Sequence, residues 1–269
     1  GMYARLLERG LSKRTVLHSH RVLHKALADG VKWGSLARNP SDATMPPRAD
    51  EEEMKMWDIP TINLFRKVAS GHRFQDFYHL ALLTGMRRSE LSGLKWGNVD
   101  LVAGRLSVVR TRQRIAKTDP AEGEPKTALM EGAPKTRRSR RSIALSPRTV
   151  DLLHSVRGKQ LAQKLEAGPV WQNTEYVLTQ PNGWPMNPVK VTQEFTAIVR
   201  KAELPHLTLH GLRQSNATLL LVAGVSPKVV SERLGHSNIA ITMDTYSHVI
   251  PGLQEEAAQL LDRLLSQEG

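Results

Sequence analysis

The 269-residue chain has no cysteine. That absence removes disulfides, thiolate metal sites and a cysteine nucleophile, and it fits a reducing compartment. No apolar run approaches the roughly 18–20 residues needed to span a bilayer. No basic start followed by an apolar stretch marks a secretory signal, and Gly1-Met2 reads as a tag scar ahead of an internal start. Internal repeats and low-complexity tracts are missing as well. Acidic residues are in deficit, with 26 Asp and Glu against 38 Lys and Arg, for a net charge of +12. Hydrophobic residues at 40% and charged residues at 24% are what a packed soluble core requires.

The positive excess is concentrated. Residues 105–148 hold 12 Lys and Arg against four acids, so they carry eight of the twelve net charges. A dense patch points to a polyanion, because each phosphate it neutralises releases counterions. A nucleic acid is thus favoured as partner over mere solubility.

Local signals predict a mainly α chain with a small antiparallel β-sheet, an α+β fold. Ser12 caps a helix over 12–33, with Val16, His20, Leu23, Leu27 and Val31 at helical spacing. The segment around Pro46-Pro47-Arg48 reads as a linker. One or two helices bury little core. Residues 1–45 are therefore expected to be part of a larger helical unit whose start is missing, with 46–52 as linker and 53–269 as the main domain. Helices are predicted at 60–70, 74–84 and 87–96, with Gly85 as a stop between the last two. Strands are predicted at 105–110 and 141–145, with a hairpin region or loop between them. Further helices are predicted from Ser146-Pro147 to about 165, and at 188–202, 208–222 and 226–234. Tyr176-Val177-Leu178 reads as a short strand. An amphipathic segment over 253–265 closes the chain.

Three polar clusters interrupt this apolar pattern. They are Thr84-Gly85-Met86-Arg87-Arg88-Ser89-Glu90-Leu91, then His210-Gly211-Leu212-Arg213, then Leu234-Gly235-His236 with Tyr246 ten positions later. Arg87 follows a glycine break, and Glu90, three residues on, can hold its guanidinium. His210 and Arg213 share one helix face. Two guanidinium forks with imidazoles suit a tetrahedral oxyanion. Each piece alone also has an ordinary reading: a surface helix pair, a satisfied histidine, a core tyrosine.

Together the clusters resemble the signatures of the tyrosine site-specific recombinases of the phage integrase family. Residues 80–100 (LALLTGMRRSELSGLKWGNVD) resemble the first signature, and 207–250 (LTLHGLRQSNATLLLVAGVSPKVVSERLGHSNIAITMDTYSHVI) the second. Pro134-Lys135-Thr136-Arg137-Arg138-Ser139-Arg140-Arg141-Ser142-Ile143 looks like the family's lysine-bearing hairpin. Residues 11–16 resemble part of its helical core-binding (DNA-clamp) domain. The chain departs at Gly211, where the family often has Asp, and at Gln214-Ser215, where it often has His-Thr.

The resemblance implies a catalytic set of Arg87, Lys135, His210, Arg213, His236 and Tyr246. Tyr246 would be the nucleophile, giving a 3′-phosphotyrosyl intermediate. Arg87 and Arg213 would clamp the non-bridging oxygens, with His236 adding a hydrogen bond. Lys135 would protonate the departing 5′ oxygen, although Lys126 and Lys117 lie in the same basic stretch and spacing does not rank them. His210 would accept or organise the tyrosine proton. No ATP, metal or other cofactor is implied. Four protomers would join two sites on double-stranded DNA, with a monomer when free, in a bacterial or phage-encoded cytoplasmic setting without a membrane. Competing readings are a helix-turn-helix-like binder over 217–235 without chemistry, and a topoisomerase using the same residues. A third is a metal-dependent hydrolase built on the His20/His24 or His206/His210 pairs.

Overall fold

The computed structural model describes residues 1–49, 55–117, 126–134, 139–236 and 238–246, with Gln259, Asp262 and Ser266 beyond them. The chain divides into two compact units, Gly1–Glu53 and Met54–Gly269. Among the described residues it is mainly helical with two small antiparallel sheets, the α+β class the sequence predicts.

In the first unit, α1 (Met2–Glu8) precedes α2 (Lys13–Lys32). Ser12 caps α2 by accepting from the Thr15 N–H at 3.2 Å. Two of the three histidines on α2, His20 and His24, have a polar partner inside the unit. His20 Nδ1 lies 2.6 Å from the Tyr3 hydroxyl, and His24 Nε2 lies 2.9 Å from Asp42 Oδ1. Helix α1 has no counterpart among the sequence expectations. At seven residues it is too short to show a periodic stripe.

The second unit begins with α3 (Ile59–Val68), α4 (Gln75–Thr84) and α5 (Arg88–Ser92). Helix α5 is shorter than its predicted 87–96, because the chain turns at Gly93 and pairs Lys95 with Tyr176 in an isolated bridge. That bridge is all that forms of the expected Tyr176 strand. Strands β1 (Val99–Asp100), β2 (Arg105–Val108) and β5 (Arg141–Ala144) make a sheet in the order β1-β2-β5. Leu106 faces Ile143 across the β2–β5 pair, and both are buried, as is Val108. Between β2 and β5 the chain forms a separate hairpin of β3 (Thr111–Ala116) and β4 (Thr127–Gly132).

Among the described residues five further helices follow: α6 (Pro147–Ala167), α7 (Pro188–Lys201), α8 (Gly211–Val222), α9 (Pro227–Leu234), which contacts β5, and α10 (Ile239–Tyr246). Ser146 and Asn187 cap α6 and α7 with their side chains, each followed by a proline in the first turn. The segment predicted as a helix at 253–265 lies outside the described residues, apart from the isolated positions already named.

All four phenylalanines are buried. Phe65, Tyr78, Phe195 and Trp57 form one cluster, with ring centroids 5.1–5.9 Å apart for the pairs in contact. The polar ends of this cluster are satisfied. The Tyr78 hydroxyl donates to Val191 O at 3.1 Å, and Trp57 Nε1 donates to Pro205 O at 2.9 Å.

Gly85 ends α4 in the left-handed region, at φ 65 and ψ 14. A Cβ there would lie 2.7 Å from both Asn216 Oδ1 on α8 and Leu234 Cδ2 on α9. The residue is therefore fixed as glycine both by its backbone and by its neighbours. Gly85→Ala is expected to cost roughly 2–4 kcal/mol, combining left-handed strain with overpacking. The check is urea unfolding, where the midpoint should fall at unchanged slope. An unchanged midpoint would contradict the close approach of these three helices.

Candidate active site

Arg87 stands at the N-cap of α5, two residues past Gly85. Its backbone N–H donates to Glu90 Oε2 and its Nη1 to Glu90 Oε1, both at 2.8 Å. One carboxylate thus caps the helix and aims the side chain that precedes it. The Arg87 side chain remains 35% exposed, whereas that of Glu90 is 1% exposed.

His210 is the N-cap residue of α8, and Arg213 sits in its first turn. Arg213 is 4% exposed. Its Nη1 donates to Gly85 O and its Nη2 to Leu234 O, each at 2.7 Å. The carbonyl just upstream of the first arginine therefore anchors the second.

The end of α9 brings the third segment in. Its last carbonyls have no partner within the helix and carry the negative end of the helix dipole. Three guanidiniums fill them. Arg141 Nε donates to Arg233 O at 2.5 Å, Arg213 to Leu234 O, and Arg87 Nη2 to Gly235 O at 3.2 Å. Gly235 turns the chain at φ 67 and ψ 49, and His236 follows. The His236 Nδ1 pairs with Thr242 Oγ1 at 2.7 Å, across the turn into α10.

The electrostatics follow from this crowding of cations. Burial pushes the His210 imidazole below its ordinary value, and Arg213 and Arg87 push it further. His236 is lowered to about 4 by burial first, then by Arg213, Arg87, Arg141 and His210. Both rings are neutral at pH 7. Glu90 goes the other way. Burial alone would raise it, but hydrogen bonds and charge from Arg141, then from Arg87, outweigh that and hold it below the usual carboxylate value.

Arg87, His210 and Arg213 line one open cleft of about 400 Å³. Arg88, Arg112 and Thr192 also line it, and Arg88 Nη1 donates to Thr192 Oγ1 at 2.8 Å. Four of the six residues singled out in the sequence are thus neighbours, since His236 feels the charge of the other three. Lys135 lies outside the described residues, between Pro134 and Ser139. Tyr246 is the last residue of α10, and its side chain is likewise outside what is described.

Sequence reasoning missed Arg141, Arg233 and Thr242. Arg141 makes a two-pronged contact with Glu90, and Arg233 bridges Leu83 O and Ala144 O at 3.0 Å each. A signal for Arg141 does exist: it shares strand parity with buried Ile143, so it faces inward from a run of otherwise solvated basic residues.

Two of the departing residues at α8, Gly211 and Ser215, have close neighbours. A Cβ at Gly211 would lie 2.4 Å from Leu207 Cγ, so buried Leu207 occupies the space a larger side chain would need. Ser215 Oγ accepts the Trp57 N–H at 3.0 Å, tying α8 to the segment before α3.

The lowered His236 sets a pH dependence. Between about 4 and 6.5 the unfolded imidazole binds a proton that the folded one does not, so stability rises with pH through that window and levels off above it. Thermal midpoints of wild type and His236→Gln, measured from pH 4 to 8, are expected to converge toward low pH as the wild type loses this advantage. Parallel curves would show that the ring is not held neutral.

The sequence profile described as the Phage integrase family matches residues 57–251. A tyrosine recombinase XerC-like protein of Caldanaerobacter subterraneus is 32% identical over 97% of this chain and 69% of its own length. The ICEBs1 integrase of Bacillus subtilis is 27% identical over 97% of this chain and 68% of its own length. Among solved structures, the Tn1549 transposon integrase in complex with transposon right end DNA aligns with a TM-score of 0.77 at 23% identity, covering 98% of this chain and 83% of that one. A lambda integrase tetramer bound to a Holliday junction aligns with a TM-score of 0.63 at 17% identity, covering 91% and 62%. The structures support the fold, and the sequence matches carry the family: the chain belongs to the phage integrase family and is a site-specific recombinase of the tyrosine type, a DNA strand-transfer enzyme.

Proposed function

We propose that the chain cleaves and rejoins DNA through a 3′-phosphotyrosyl bond to Tyr246, without ATP or a metal ion. The observation that carries this reading is the convergence of Arg87 and Arg213 on the end of α9 with two neutral imidazoles beside them. Such a site offers positive charge to an oxyanion and an unprotonated base at the same place.

The Tyr246 oxygen attacks the scissile phosphorus, and the bond from phosphorus to the 5′ oxygen breaks. A free phenol has a pKa near 10 and is protonated at neutral pH. His210, neutral and part of the cleft, takes the phenolic proton as the new bond forms. Lys135, on the segment between β4 and β5, supplies a proton to the departing 5′ oxygen. Arg87 and Arg213 stabilise the non-bridging oxygens in the pentavalent state. His236, with Nδ1 engaged by Thr242, offers Nε2 to the same phosphate. The phosphodiester energy is kept in the phosphotyrosine, so a second 5′ hydroxyl reverses the step on a new strand.

The basic stretch 105–148 contacts the DNA backbone, which positions the duplex without reading its sequence. Four protomers hold two sites together, as in the lambda integrase tetramer on a Holliday junction that shares this fold. Residues 1–45 act as part of a DNA clamp. The reaction takes place in the cytoplasm; among the described residues no helix is long and apolar enough to cross a membrane.

The test is a nicked suicide duplex carrying a site selected from random sequence by covalent capture on the wild-type chain. A protein–DNA adduct is expected in EDTA, absent with Tyr246→Phe. Arg213→Ala should slow single-turnover cleavage by about 10²–10³-fold, the usual cost of losing an oxyanion contact. An adduct that survives Tyr246→Phe, or that needs a divalent cation, would refute this mechanism.

A further inference from the structure

Arg141 is as closely bound to the cluster as the two proposed phosphate clamps, yet it is built differently. Its side chain is only 6% exposed. Nη1 and Nη2 meet Glu90 Oε1 and Oε2 at 3.0 and 2.9 Å, a fork-to-fork pair. Nε goes to Arg233 O, and Nη1 also donates to Ser139 O at 3.2 Å. Gly235 lies close against the guanidinium, where a Cβ would sit 2.9 Å from Nη1. With its fork committed to protein and its surface covered, Arg141 leaves no face for a substrate.

Its influence on the cleft runs through Glu90. Each Glu90 oxygen serves both arginines: Oε1 accepts from Nη1 of Arg87 and of Arg141, and Oε2 accepts from the Arg87 backbone and from Arg141 Nη2. Two consequences follow. The carboxylate plane is fixed by the Arg141 fork, and that plane sets the direction of Arg87. The charge count is also set, because one carboxylate between two guanidiniums leaves the trio positive. Without Arg141, a buried Glu90 would pair with Arg87 alone and cancel the charge that Arg87 presents to the cleft.

We propose that Arg141 is a positioning residue for cleavage: through Glu90 it orients Arg87 and keeps that arginine's positive charge available to the scissile phosphate. This rests on the catalytic reading above. The contacts to Ser139 and Arg233 O extend the same control to the strand that follows the Lys135 segment and to the turn that carries His236.

The experiment compares two versions of the selected suicide duplex. One has an ordinary scissile phosphate, and the other has a methylphosphonate, in which a neutral methyl replaces one non-bridging oxygen. A neutral linkage needs less cationic compensation, so a defect that acts through Arg87 should shrink on it, whereas a general structural defect should not. Arg141→Met keeps the stem and loses the charge; Arg141→Lys keeps the charge and loses the fork. On phosphate, single-turnover cleavage by Arg141→Met should fall about 100-fold, with Arg141→Lys about 10-fold down and DNA binding unchanged. On methylphosphonate, both variants and Arg87→Ala should come within about threefold of wild type. Equal defects on the two substrates, or wild-type rates on phosphate, would overturn the proposal. Should Arg141→Met fail to fold, the Arg141→Lys comparison decides by the same criterion. A wild-type chain that forms no adduct with any duplex is a separate result, which removes the catalytic reading and this inference with it.

Discussion

The structure of the site depends on one interaction, the capture of three guanidiniums by the carbonyl end of α9. Arg233 O, Leu234 O and Gly235 O receive Arg141, Arg213 and Arg87. These carbonyls would otherwise be orphans at a helix end, and a buried one without a partner costs about 1–3 kcal/mol. The arginines would otherwise be cations taken out of water, at a larger cost still. Each deficiency answers the other. The result brings β5, α5, α8 and α9 to a single point, although these elements span 87 to 235 in sequence.

Using carbonyls as acceptors also has an electrostatic consequence. A carboxylate partner would hold an arginine equally well but would cancel its charge. A carbonyl holds the fork by its dipole and leaves the formal charge in place. Glu90 is the acid placed between Arg87 and Arg141, while the fork of Arg213 rests on Gly85 O and Leu234 O, and that of Arg233 on Leu83 O and Ala144 O. Burial first, and then the field that remains, drives the His236 imidazole down to about 4 and His210 in the same direction. Fold stability and a positive, oxyanion-ready cleft therefore come from the same set of bonds.

How far this was legible in the sequence differs by element. Helix starts were readable where a side chain satisfies a free N–H, as at Ser12 and Ser146. Gly85 was readable as a helix stop, and the sequence clusters named four residues that the structure gathers. The β3–β4 hairpin was visible only as a basic stretch. Its strands contain no buried residue, so neither shows the alternation that half-buried strands carry. Helix α10 is as short as α9 but lacks the Ser-Pro pair that marks where α9 starts. Arg141 was hidden by composition, since it stands in a run of basic residues whose other members give no cue to its inward parity. The α9 carbonyls carry no side-chain signature at all. Backbone acceptors cannot be read from residue identity, and here they do much of the organising.

Two left-handed glycines at the site, Gly85 and Gly235, show why the arginines act as a unit. Gly85, which precedes Arg87 by two residues, gives its carbonyl to Arg213. Gly235, which immediately precedes His236, gives its carbonyl to Arg87. Each arm is thus fastened to the backbone that carries another arm, rather than to its own. A shift at either turn moves a partner residue on a different helix, so changes at these positions should not combine additively. The spacing between the two guanidiniums is then set by two backbone turns and one helix end, all parts with little freedom once the core has closed around Leu212 and Leu234. For the proposed clamp on a phosphate, backbone ties hold that spacing more firmly than surface ion pairs could, because water and salt compete with the latter.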